Sequence, residues 1–530
     1  MEEQGFLKGA FILSLAGFVS KIMGALYRIP LARLIGGEGL GLYQMAYPIY
    51  TMILAVSTAG IPVAISILVA EKQARGDYRG GMRIFRIAVI MLAITGALFT
   101  LLLYNNSYLL ANKILNDKRA FYAIIAISPA IFITAINSAF RGFFQGNQTM
   151  VPTAVSQVIE QFARVTTVLI AAYMLLPYGV EFSAAGATFG AVVGSVFALL
   201  VLIFFYITFP RKRGINRKSG VSQEGFLKVV GRIAYIALPL SLGGLVMPVM
   251  QVIDATIVPL RLQDAGYSMT RATELFGQLS GMANTLINLP TIITVSLAVS
   301  LVPAISEAVT KRQWALLQSR LSAAFRITLL LGLPAAAGLW VLATPISVLL
   351  YDIAEVGVSL AVLAPAALFL GLYQTSAAVL QGMSKTYLPV KNLLIGAVVK
   401  VSLNYWLTAI PAIGIRGAAF ATVCGFLIAF ILNYIDMKRV STFRIKWFGV
   451  LAGPLASTAA MAFIVDRFYN AVYKTMGDSI GTVLAVLLGA VVYGCLVLLT
   501  GAVRARDLEM IPVVGETLAK SAVKIGLVRR

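Results

Sequence analysis

The chain has 530 residues, 59% hydrophobic and only 12% charged, with a mean hydropathy of +0.88, which marks a polytopic membrane protein rather than a soluble domain. It contains no histidine, which excludes imidazole acid–base chemistry and histidine metal ligation. Its two cysteines, Cys424 and Cys495, lie in apolar segments and support neither a disulfide framework nor a metal site, and no G-x-x-x-x-G-K-[ST] run is present to hold a nucleotide.

A spanning helix takes about 20 apolar residues. Fourteen segments qualify, near 7–29, 41–70, 84–104, 121–141, 151–176, 184–209, 232–260, 275–303, 323–350, 357–380, 388–410, 414–437, 447–466 and 480–501. Several are long and carry Pro48, Pro62, Pro248 or Pro334, so kinked or tilted helices are expected. The first segment runs on as a spanning helix, with no cleavable leader expected.

In the first segment Ser14, Gly17, Lys21, Gly24 and Arg28 recur at spacings of three and four, which puts them on one helix face. Small residues around a long cation leave room for a ligand; the competing reading is a packing seam with Lys21 snorkelling to an interface. The depth of Lys21 favours a cavity. The second segment presents Tyr43, Tyr47, Tyr50 and Thr51, suited to stacking on sugar rings or to an interfacial aromatic belt. The fifth carries Gln157, Glu160, Gln161, Arg164 and Thr167 on one side, with Glu160 four residues before Arg164, the favourable order for an intrahelical pair. Arg164 is therefore either a ligand contact or half of a structural pair.

Asp254 lies mid-segment in the seventh, one turn after Gln251; with Glu160 it is one of two deep carboxylates. It is a candidate for a coupling cation or proton, or it neutralises Lys400. The eighth segment aligns Gly277, Gly281, Asn284, Asn288 and Thr291, and the eleventh aligns Lys400, Asn404 and Thr408. A cation at membrane depth costs at least about 2.5–3.5 kcal/mol on insertion scales. Lys21, Arg164 and Lys400 together point to an anionic ligand handled inside the membrane.

The net charge of +22 suggests nucleic acid until its distribution is read. Of the 43 Lys and Arg, thirty fall on the side of the N-terminus, ten on the opposite side and three within segments. That bias is the positive-inside rule, so both termini are expected in the cytoplasm and no nucleic-acid partner is expected. Runs such as Arg211-Lys212-Arg213 act mainly as topology signals, with anionic-lipid contact second.

The chain repeats itself weakly. Gly5-Phe6-Leu7-Lys8 is echoed by Gly225-Phe226-Leu227-Lys228, and Pro62 with Ile65-Ser66 by Pro303 with Ile305-Ser306. Gln145-Gly146 is echoed by Gln381-Gly382, and Gly186-Ala187-Thr188-Phe189 by Gly417-Ala418-Ala419-Phe420; Arg164 then falls opposite Lys400. Six segments separate the copies, which makes a parallel repeat, an architecture of alternating-access transporters. The expected organisation is an N-lobe over 1–209, a basic cytoplasmic linker over 210–227, a C-lobe over 228–440, and two further helices with a basic tail over 441–530.

Ser20-Lys21-Ile22-Met23-Gly24, Glu38-Gly39-Leu40-Gly41-Leu42-Tyr43 and Thr58-Ala59-Gly60-Ile61-Pro62 resemble the polysaccharide-transport branch of the multidrug/oligosaccharidyl-lipid/polysaccharide exporter superfamily, in the group of stage V sporulation protein B and the YtgP flippases. The resemblance implies an all-α fold of about fourteen transmembrane helices in two parallel six-helix lobes plus two C-terminal helices, like that of drug exporters and MurJ-type flippases. It further implies a flippase for an undecaprenyl-diphosphate-linked peptidoglycan precursor, lipid II, with cations on the diphosphate and the last two helices shaping a groove for the lipid tail. Lys21 stands where MurJ-type flippases carry a helix 1 arginine. Arg28 is displaced by one residue from the next helix 1 cation of that branch, the second segment has no central arginine, and Tyr43 occupies the region of an early acid.

The substrate-binding candidates are thus Lys21, Arg28, Arg164, Lys400, Tyr43, Tyr47, Asn284 and Asn288, with Asp254 and Glu160 as ion-coupling candidates. Sodium, protons or the membrane potential are the expected energy sources, and a monomer in the cytoplasmic membrane the expected form, with no cofactor. The alternatives are a flippase for another polyprenyl-linked polysaccharide unit, an ion-coupled drug antiporter of the same fold, and an integral membrane transferase. The basic cavity weighs against a carrier of cations. The short basic loops offer no carboxylate or histidine centre for an enzyme.

Overall fold

A computed structural model describes residues 2–58, 60–209, 225–440 and 447–501 of the chain. Most of the expected basic linker and the whole basic tail from residue 502 lie outside the described residues. Among the described residues every regular element is a helix. In chain order these are α1 (Glu2–Leu26), α2 (Arg28–Thr58), α3 (Ile61–Ala74), α4 (Tyr78–Leu109), α5 (Ala120–Ile127), α6 (Pro129–Gly146), α7 (Val151–Leu175), α8 (Val180–Thr208), α9 (Phe226–Asp264) and α10 (Met269–Gly277). They continue with α11 (Asn284–Thr310), α12 (Trp314–Val341), α13 (Ala343–Tyr351), α14 (Val356–Leu363), α15 (Pro365–Gly382), α16 (Tyr387–Leu407), α17 (Ile415–Val440), α18 (Trp447–Met476) and α19 (Asp478–Leu499). Short π-helical turns follow α4 at Leu110–Ile114 and α10 at Gln278–Ala283.

Among the described residues eleven helical stretches are long and apolar enough to cross a membrane, or twelve if α14 and α15, bent by 41°, form one span. The expected count of fourteen is not reached by this measure, for two physical reasons. The stretch Ile12–Ala74 runs as one, although it bends where Gly36 takes φ +67° and where Gly60, φ +76°, precedes the proline-opened α3. In addition, α16 carries Lys391, Asn392, Lys400 and Asn404, which lower its apolar character.

Two compact units are present. The first comprises the described residues up to Gln263 with Tyr267–Gly277; the second comprises Asp264–Gly266 and those from Gln278 onward. The sequence repeat and the compact units therefore divide the chain at different points, since α9 and α10 belong to the first unit. The start of α9 is held there by Val229, Ile233 and Ala237, which join a core with Ile65, Ile84, Phe85, Phe143 and Leu202. Arg232 adds an ion pair to Glu71 at 2.6 Å.

Close backbone approach binds α10 to α2. A Cβ at Gly41 would run into the Thr273 carbonyl, and one at Gly277 into the Gly37 carbonyl, so glycine alone fits there. Beside this crossing Asp117, 1% exposed, accepts from the Thr273 hydroxyl at 2.8 Å and from Arg119 Nη2 at 2.7 Å. Arg119 also pairs with Glu38. Its hydrogen bonds to Asp117, and then Glu38, raise the Arg119 pKa above the ordinary arginine value.

The second unit packs α11, α12, α15 and α17 around Leu301, Leu321, Phe325 and Val379. Helices α18 and α19 dock on it: Met461, Val465 and Ala485 bury against Leu342, and the Tyr493 hydroxyl donates to the Leu330 carbonyl.

Candidate functional site

In the first unit α1 lies along α7. A Cβ at Gly24 would stand 3.2 Å from Gln161 Nε2, whereas Gly17 faces open space. Lys21, between these glycines on the same face, is exposed. One turn beyond Gly24 the chain breaks and α2 opens on Arg28, whose guanidinium stands beside Tyr27, Tyr43 and Tyr47. The Tyr27 and Tyr43 hydroxyls share a hydrogen bond of 2.9 Å. Tyr43 stacks on Tyr47 with centroids 5.5 Å apart, and Tyr47 tilts against Tyr50 at 5.8 Å.

Arg164 reaches the same tyrosines from α7. Its Nη1 approaches the Tyr47 hydroxyl at 3.4 Å and its Nη2 donates to Glu160 Oε1 at 2.6 Å. Its Nε is buried and has no hydrogen-bond partner among the described residues. The other Glu160 oxygen accepts from Arg141 Nη2 at 2.7 Å, and Arg141 Nε donates to the Ser156 hydroxyl at 3.3 Å. Arg28, Arg141 and Arg164 against Glu160 leave a positive balance at this place, and two of the guanidiniums share tyrosine neighbours. Such an arrangement suits a diphosphate or another multiply charged anion.

The structure therefore brings together Arg28, Tyr43, Tyr47, Glu160 and Arg164 from the expected set, with Lys21 on the helix face leading to them. Tyr43 and Tyr50 are each only 2% exposed, so their rings are covered by neighbours and Tyr47 alone of the three keeps an accessible edge. Tyr27 and Arg141 belong to the cluster but not to the expected set. Arg141, the last residue of the expected segment 121–141, lies inside α6 with its side chain 17% exposed. No sequence spacing links it to Glu160 on another helix. The signal available was its place within an apolar run, between Phe140 and Phe143.

In the second unit Lys400 is buried on α16. The glycines of α17 explain its seat. A Cβ at Gly425 would lie 3.0 Å from Lys400 Cβ, and one at Gly417 would lie 2.7 Å from the Leu407 carbonyl carbon. The first unit has the matching contacts: Gly194 stands against Arg164 Cβ at 2.9 Å and Gly186 against the Ala171 carbonyl. The paired glycines of the sequence repeat thus make the same helix crossing twice, and each crossing seats a cation stem. Beyond Lys400, Thr408 donates to Asn404 Oδ1 at 2.7 Å. Asn284 and Asn288 open α11, where Asn288 Nδ2 turns back to the Asn284 carbonyl at 2.8 Å. Lys400, Asn284 and Asn288 belong to the second unit, Arg28 and Arg164 to the first. Asp254 lies half-buried mid-way along the span Gly244–Asp264 of α9, in the first unit.

A helical membrane protein with a basic, tyrosine-lined site inside its first unit defines a carrier-like class. The family model described as "Polysaccharide biosynthesis protein" matches residues 6–309, and that described as "MatE" matches residues 280–406. The chain belongs to the polysaccharide biosynthesis protein family, in the polysaccharide-transport branch of the multidrug/oligosaccharidyl-lipid/polysaccharide exporter superfamily. It is 34% identical over 526 residues to stage V sporulation protein B of Bacillus subtilis (strain 168), covering 98% of this chain and 100% of that one. It is 29% identical over 461 residues to the lipid II flippase MurJ of the same organism, covering 83% and 84%. Among solved structures, the inward closed conformation of lipid II flippase MurJ superposes with a TM-score of 0.69 at 18% identity, covering 92% of this chain and 98% of that one. An inward-facing multidrug transporter of the MATE family gives 0.65 at 17% identity, covering 82% and 98%. These two likenesses establish the shared fold.

Proposed function

We propose that the chain is a flippase that moves an undecaprenyl-diphosphate-linked peptidoglycan precursor, lipid II or a close variant, across the cytoplasmic membrane by alternating access. It works as a monomer with both termini in the cytoplasm. The observation that carries this reading is the pair of guanidiniums, Arg28 and Arg164, set around shared tyrosines within apolar helices. A polyprenyl diphosphate has an anionic head that hydrocarbon rejects and a tail that hydrocarbon accepts. The membership of the family and the likeness to stage V sporulation protein B and MurJ support the same class of cargo. In this reading Arg28 and Arg164 bind the diphosphate, Lys21 leads it along the α1 face, the exposed edge of Tyr47 meets the first sugar, and Asp254 binds the coupling ion.

The likeness to multidrug transporters gives a second reading, an ion-coupled drug antiporter. The positive balance of the site disfavours cationic drugs. Reconstitution in liposomes with fluorescent lipid II separates the two. Leaflet exchange that Arg164→Gln abolishes is the expected result; no exchange above protein-free liposomes rejects the glycan-lipid reading.

A further inference from the structure

Glu160 makes two ion pairs at once, with Arg141 at 2.7 Å and Arg164 at 2.6 Å, and the three side chains are 13–17% exposed. Arg141 also donates from Nε to the Ser156 hydroxyl at 3.3 Å, so its Nε is engaged as well as its Nη2. Arg164 is not held in this way: Nε has no partner among the described residues, and Nη1 makes one long contact to Tyr47.

The internal duplication supplies a control for why the acid is there. Arg164 and Lys400 occupy equivalent positions, each with its stem against the equivalent glycine of the following helix. At the positions equivalent to Glu160 and Arg141 the second copy carries Gly396 and Ala377. The helix crossing therefore forms without either charge, and packing does not require Glu160. A buried carboxylate that packing does not require, placed on a guanidinium whose Nε has no partner among the described residues, behaves as a stand-in for an anionic ligand.

We propose that Glu160 is an internal counterion that occupies Arg164 when the site is empty and yields it to the diphosphate of the cargo, with Arg141 retaining the displaced carboxylate. This rests on the reading of the site as an anion carrier and adds how that site is regulated. Holding Glu160 on Arg141 avoids leaving a carboxylate buried alone, the costly outcome in a low-dielectric interior. Competition from Glu160 also keeps the cargo from binding too tightly to be released.

The test uses the full chain in nanodiscs, with inorganic pyrophosphate as the probe and calorimetry at fixed ionic strength as the readout. Glu160→Gln should tighten pyrophosphate binding about tenfold, and Arg164→Gln should abolish it. The charge-balanced double variant Arg141→Gln with Glu160→Gln should bind as tightly as Glu160→Gln, because it is Arg164, not the total charge, that has been released. This double variant also carries the test if Glu160→Gln alone does not fold. Unchanged or weaker binding in Glu160→Gln, a double variant that returns to the native affinity, or no pyrophosphate binding in any form would overturn the proposal. Because pyrophosphate binding is read without transport, tightened binding with no lipid II exchange would retain the counterion and reject the cargo, and the reverse pattern would do the opposite.

Discussion

The Tyr493 hydroxyl donates to the Leu330 carbonyl at 2.8 Å, tying α19 to α12. Leu330 lies four residues before Pro334, and a proline has no N–H to return to that carbonyl. In a membrane interior an unsatisfied carbonyl has no water to turn to. The last two helices, which fall outside the sequence repeat, thus complete the hydrogen bonding of a helix within it. Tyr493→Phe should destabilise the protein by about 1 kcal/mol, read as the denaturation midpoint in detergent. In a Pro334→Ala background the carbonyl regains its helical donor, so the same change should cost much less. Equal costs in both backgrounds would show that the hydroxyl does not serve the proline kink.

The glycines of the duplicated crossing give a graded test. A Cβ at Gly194 would meet the Glu160 carbonyl at 2.7 Å and Arg164 Cβ at 2.9 Å; at Gly425 the nearest atoms lie at 3.0 and 3.1 Å. Gly194→Ala should therefore cost about 1–3 kcal/mol, as overpacking does, and Gly425→Ala less. Gly194→Ala should also reduce exchange by shifting Arg164. Reversal of this order in thermal unfolding would contradict the close contact at Gly194.

Much of this was legible in the sequence, and the part that was not has a common cause. The helices, the duplication and the face shared by Gly17, Lys21 and Gly24 follow from apolar length and from spacings of three and four, which are local properties. Arg28, expected on that face, falls instead at the start of α2 because the helix breaks at Tyr27. The Glu160–Arg164 pair is likewise local. Arg141 on Glu160, Tyr27 on Tyr43 and Thr273 on Asp117 join residues 16 to 156 positions apart, where no spacing rule applies. The grouping of α9 and α10 with the first unit was equally hidden, because it depends on which apolar face meets which. The Glu38–Tyr43 motif does gain a physical account: Glu38 pairs with Arg119, Gly41 admits the Thr273 backbone, and Tyr43 joins the arginine cluster.

The sidedness of the chain can be read by labelling. The excess of cations on the side of the N-terminus predicts that the turn after α3 faces the cytoplasm. In a background without Cys424 and Cys495, a cysteine at the exposed Arg75 should react only after the membrane is permeabilised. One at the exposed Ala354 should react in intact cells. Matching reactivity at both positions would reject the assigned topology.

Asp254 is the carboxylate proposed for coupling. Asp254→Asn keeps the shape and hydrogen-bonding capacity while removing the charge. The variant should reach the membrane at near-normal abundance and bind pyrophosphate normally, yet exchange lipid II at a rate no longer raised by an imposed sodium or proton gradient. Retained gradient dependence in proteoliposomes would move the coupling site elsewhere.

Lys21 separates a path from a binding site. It is exposed on a face where Gly17 opens to space and Gly24 touches α7, one turn short of the arginine cluster. A cation kept at membrane depth costs at least about 2.5–3.5 kcal/mol on insertion scales, and its surroundings are small enough for a ligand to pass. Lys21→Ala should abolish complementation of a flippase-deficient strain at unchanged membrane abundance, while pyrophosphate affinity falls less than in Arg164→Gln. Lys21→Arg should keep substantial activity, because a passing anion needs the charge more than one hydrogen-bond geometry. If Lys21→Ala supports growth at matched expression, the lysine only snorkels, and the anion reaches Arg28 and Arg164 by another route.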